Sequence, residues 1–178
     1  MRKKSLRVAV CGLAAALSVT LMFIGGVVYI FAYTVPMLLG LISVMIKKSF
    51  GTPSAVFVYI AVSLLSLMLV PEKECVMMFV LFFGYYPIIR ESFEKIKSKA
   101  IRFILKFILF NVSLTVIELI CFYIFGIPFF EDGVFSAWLI IGFAAAMNLV
   151  FVMYDFLLKS FLILYEQKIE KRIKKFLK

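Results

Sequence analysis

No histidine occurs anywhere in the 178 residues. That absence removes the commonest zinc ligand, the usual acid–base group near neutral pH and the middle member of a Ser-His-Asp triad. Cysteine is nearly as scarce. Cys11, Cys75 and Cys121 stand in three separate apolar stretches without metal-like spacing. They exclude a disulfide framework and read as small apolar residues. No Gly-x-x-x-x-Gly-Lys-Ser/Thr loop is present, so any ATP hydrolysis must come from another chain. No apolar stretch carries paired carboxylates. With histidine also missing, no enzyme activity, metal or cofactor is expected.

What is abundant is apolar surface. Hydrophobic residues make up 65% of the chain and the mean hydropathy is +1.10, against about 45–50% apolar residues in a soluble domain. Lipid is the solvent that tolerates such an excess, and the pattern predicts an all-α polytopic membrane protein. Six apolar runs are predicted to span, at about 8–28, 29–46, 54–70, 75–89, 103–125 and 134–158. Pro36 falls inside the second run, and 8–46 has a rival reading as one span followed by a re-entrant segment. The basic start and Ala14-Ala15-Ala16 resemble parts of a cleavable signal. Hydrophobicity continues well beyond them, so the segment is expected to stay.

The net charge of +10 would point a soluble protein toward nucleic acid. Here its placement points to lipid, and no nucleic acid is expected as a partner. If alternate connections lie on opposite sides, 19 of the 20 Lys and Arg fall on one side and only Lys73 on the other. The positive-inside rule makes the crowded side cytoplasmic, with both termini there, which predicts a multi-pass cell-membrane protein. The segment 90–102 reads as a basic amphipathic helix leading into the fifth span, and 165–178 as a basic tail. Both suit an anionic inner leaflet.

Polar residues within spans are costly and therefore informative. Asn111, Thr115 and Glu118 follow one another at i, i+4 and i+7, on one helix face. That stripe predicts either a pocket open to the outside, with Glu118 accepting hydrogen bonds from a small-molecule ligand, or contacts between helices. Asn148 lies at a depth where it can meet Asn111 across helices, as a packing contact or as the floor of the pocket. Asp155 is expected to pair with Lys159 four residues later. Trp138 reads as a belt residue at the outer interface or as a lid over the pocket. Gly12 and Ala16 form a small-xxx-small pair on the first span, a spacing that lets another helix approach closely.

This layout of about 180 residues, six helices, cytoplasmic ends and a first helix rich in alanine at four-residue spacing resembles the S components of energy-coupling factor (ECF) transporters. These are the substrate-binding subunits of bacterial vitamin and micronutrient importers. The stretch Phe82-Phe83-Gly84-Tyr85-Tyr86-Pro87 also looks like a segment of S-component-like proteins. The resemblance implies a solute bound from outside and docking of the first-helix small-residue face, here Gly12 and Ala16, on a T component. It also implies separate ATPase subunits. The family's docking pair is Ala-x-x-x-Ala, so Gly12 departs from it. A structural or assembly protein of the cell envelope, with no small ligand, is the alternative.

Overall fold

A computed structural model describes residues 2–28, 31–127 and 137–169, and among them all regular structure is helical. α1 (Arg2–Val27) is followed by α2 (Thr34–Phe50) and α3 (Thr52–Leu69). α4 (Lys73–Met78) runs through a π-helical turn, Phe79–Phe83, toward α5 (Tyr86–Glu94). α6 (Lys99–Tyr123) and α7 (Ala137–Leu164) are the longest of the later helices, and α7 ends in a second π turn, Tyr165–Ile169.

Among the described residues, five helical segments are long and apolar enough to cross a membrane: Lys4–Val27, Thr52–Leu69, Lys73–Glu94, Lys99–Tyr123 and Ile140–Gln167. α2 has 17 residues, about 25 Å at 1.5 Å per residue, and is shorter than the rest. Its start differs from the sequence expectation. Pro36 sits in its first turn, where a missing N–H costs nothing, so the helix begins at Thr34 rather than near residue 29. It continues past Lys47 and Lys48 to Phe50.

The basic segment also differs from expectation. It is not one helix, because the chain breaks between α5 and α6. Ser98 caps α6 by accepting the Ile101 N–H at 3.4 Å. The first half of the segment therefore finishes α5 and the second half starts α6. Most of the tail expectation, from residue 170 onward, lies outside the described residues.

Side-chain contacts show how the helices alternate in direction. At one end Arg7 of α1 donates to Ser54 of α3 at 2.7 Å, and Lys47 of α2 pairs with Glu91 of α5 at 2.6 Å. Lys48 reaches Glu166 beyond α7 at 2.9 Å. At the other end the last turn of α1 crosses the start of α2. A Cβ on Gly25 would lie 2.7 Å from Val35. Tyr33, just before α2, donates to Glu74 of α4. The α2–α3 connection is a single residue, Gly51, with φ 88° and ψ 167°. This region is essentially closed to residues with a Cβ.

The Lys73–Glu94 segment is the most buried of the five. The π turn places Phe82 at the middle of an aromatic core. Phe82 stacks on Tyr86 at 4.7 Å and meets Phe110 edge-on at 5.0 Å, and Phe110 stacks on Phe151 at 4.8 Å. A second core joins α1, α2, α3 and α4 through Met22, Leu39, Val62 and Val76. Outside these cores, Leu13, Phe57, Met68 and Phe156 are exposed. A continuous outer surface of that kind belongs in hydrocarbon rather than water.

Candidate functional site

The five residues expected to line a pocket do not converge. Asn111 and Asn148 do meet. Each amide nitrogen donates to the other's oxygen, at 2.8 and 3.0 Å. Each also donates to a carbonyl one turn back on its own helix, Phe107 and Ala144, both at 2.8 Å. Both donors of each amide are thereby used, and the pair clamps α6 to α7. Thr115 is exposed and donates to the Asn111 carbonyl at 2.9 Å. Trp138 is 82% exposed, so its indole lies on the outer surface of the bundle rather than over a pocket.

Glu118 stands apart from these. It is half-buried on the face of α6 that packs toward α4, and its Oε1 is buried without a hydrogen-bond partner among the described residues. A buried carboxylate oxygen without a donor is costly and calls for an N–H, an O–H or a proton. Helical spacing put Glu118 on one face with Thr115, but the Thr115 hydroxyl bonds the Asn111 carbonyl.

Gly12 and Ala16 are exposed on α1, and nothing lies within 4 Å of where a Gly12 Cβ would stand. Beside Gly12, a cavity of about 400 Å³ opens between α1 and α3, walled by Cys11, Ala15, Phe57 and Ala61. It is almost wholly apolar, and a small-residue face of this kind lets a neighbouring helix approach closely.

The feature that spacing did not reveal lies at the end where Lys47 and Lys48 stand. Asp155 does not pair with Lys159, which is exposed. It reaches across helices instead. Arg90 Nε donates to Asp155 Oδ1 at 2.7 Å, Tyr86 Oη donates to the same oxygen at 2.6 Å, and Lys106 Nζ lies 3.1 Å from both carboxylate oxygens. Glu94 closes the circuit, bonding Lys106 at 2.7 Å, Arg90 at 3.3 Å and Arg102 at 3.0 Å. Arg90 and Lys106 are 5% and 4% exposed. Two buried cations without a counter-ion would be far costlier than one unpaired surface lysine, so Asp155 serves them. One signal was present in the sequence. Lys106 stands between Leu105 and Phe107, inside an apolar run, and such a lysine needs a carboxylate. Which helix supplies it cannot be read from periodicity.

A pocket of about 420 Å³ opens on this network between α5, α6 and α7. Neither cavity is lined by Glu118, Asn111, Thr115, Trp138 or Asn148. Among the described residues no group of His, Cys, Asp and Glu is arranged to hold a metal ion. Comparison with protein-family models, with curated proteins and with solved structures finds no match.

Proposed function

We propose that the chain is the solute-binding membrane subunit of a multi-subunit importer of the ECF type, crossing the cell membrane six times with both termini in the cytoplasm. Alternation of the helices and gathering of cations at one end support this topology, with α2 as a short sixth span. The observation that carries the binding role is the buried, unpartnered Oε1 of Glu118 at the end opposite those cations. A cationic or N–H-bearing solute would supply the missing donor. The open Gly12–Ala16 face and the α1–α3 groove beside it support docking on a second membrane subunit, with ATP hydrolysis supplied by further chains.

The test is purification of the tagged chain from native membranes, followed by mass spectrometry of what it retains. The wild type is expected to hold a small molecule that Glu118→Ala loses while keeping its helical content. Gly12→Leu, which places bulk where there is open space, is expected to lose membrane and ATPase partners and keep the small molecule. Full retention of the solute by Glu118→Ala contradicts the binding role.

A scaffold in the cell envelope, without a small ligand, is the second reading. The mutually saturated Asn111–Asn148 pair and the outward Trp138 favour it, since both serve packing and lipid contact alone. Purified protein free of any solute and of ATPase subunits is the outcome that selects it.

A further inference from the structure

The pocket between α5, α6 and α7 lies at the end opposite Glu118 and owes nothing to the solute reading. Five cations line it, Arg90, Lys99, Arg102, Lys106 and Lys159, with three carboxylates, Glu94, Asp155 and Glu166. Every one of those carboxylates is already engaged. Asp155 holds Arg90 and Lys106, Glu94 holds Lys106, Arg90 and Arg102, and Glu166 holds Lys48 from α2. Lys99 and Lys159 have no carboxylate partner among the described residues, and both are exposed at the rim. The floor is rigid, because Arg90 and Lys106 are buried and fixed by several bonds each. The walls are mixed, with Phe103, Leu162 and Ile163 alongside the charges.

We infer that this pocket binds a phosphate group. Uncompensated cations over a preorganised floor attract an anion, and a guanidinium beside ammonium groups suits phosphate oxygens. Basic pockets between membrane helices near the cytoplasmic face take anionic lipid head groups, and Phe103, Leu162 and Ile163 give an acyl chain a surface to follow. Inorganic phosphate offers the same chemistry without the chain.

The test uses the full-length protein and two probes. In the first arm, protein equilibrated with equal amounts of phosphatidylglycerol and phosphatidylcholine is examined by native mass spectrometry. In the second, inorganic phosphate is titrated into protein held in phosphatidylcholine nanodiscs, and thermal unfolding is followed. The double variant Lys99→Gln/Lys159→Gln removes the two unpaired cations. Lys95→Gln/Lys97→Gln makes the same charge change at exposed positions that do not line the pocket.

Preferential retention of phosphatidylglycerol, weakened about 30-fold in the Lys99/Lys159 variant and unchanged in the Lys95/Lys97 variant, supports the site and names a lipid as its source. Stabilisation by inorganic phosphate, lost in the Lys99/Lys159 variant alone, supports the site and names a soluble source. Absence of both responses in the wild type overturns the inference. So does an equal loss in both variants, which marks general attraction to a basic surface.

Discussion

Asp155 of α7 joins two buried cations from two other helices. It is the shared acceptor of Tyr86, Arg90 and Lys106. Asp155→Asn removes the charge and leaves two nearly inaccessible cations with Glu94 alone. A loss of stability of about 3–5 kcal/mol is expected, measured by reversible unfolding in mixed micelles. Lys159→Gln, one turn further along α7, is expected to change stability by less than about 0.5 kcal/mol, because that lysine is exposed and unpaired. An equal effect of the two substitutions contradicts the pairing seen here. The sequence set Asp155 within an apolar run, but Lys106, between Leu105 and Phe107, read as one of the surface cations and is buried. The partner was not legible, because Arg90 and Asp155 are 65 residues apart. Helical periodicity assigns a residue to a face, never to the helix that the face meets. The Asn111–Asn148 contact was legible because equal depth on two spans leaves few alternatives for an amide.

Among the elements, the α2–α3 corner and the π turn decide the most. Gly51 alone joins two helices, and its N–H closes α2 on the Lys47 carbonyl at 2.9 Å. Its φ and ψ lie outside the left-handed helical region that asparagine tolerates. Gly51→Ala is therefore expected to cost about 1–3 kcal/mol, and Gly51→Asn to give no rescue relative to alanine. Both are measured by unfolding in micelles, and a neutral Gly51→Ala contradicts the strained corner. The sequence reading broke the chain between residues 46 and 54, while the tightness of the corner was not visible. The π turn at Phe79–Phe83 was not visible at all, since one extra residue in a helical turn leaves no mark on an apolar run. The same blindness joined the basic residues after Ile89 into one amphipathic helix. Ser98 capping α6 divides them, and a cap residue among charges is a weak signal without its hydrogen bond.

Across the whole molecule, the apolar exterior and the charge-crowded end are two consequences of one solvent arrangement. Exposed Phe57, Met68 and Phe156 suit hydrocarbon around the middle, and Lys47, Lys48, Arg90 and Lys106 gather at one end of the helices. The helical class and most of the helices long and apolar enough to cross a membrane were legible from run length. The short α2 is where the count of six is decided, because five crossings would put the ends of the chain on opposite sides. The direct measurement is labelling of single cysteines by a membrane-impermeant maleimide in intact cells, with Cys11, Cys75 and Cys121 replaced by serine. Cysteine at Phe31, before α2, is expected to react from outside. Cysteine at Thr52, after α2, is expected to react only once the membrane is opened. Reaction of both positions from the same side contradicts the sixth crossing, and with it the common cytoplasmic placement of the two termini.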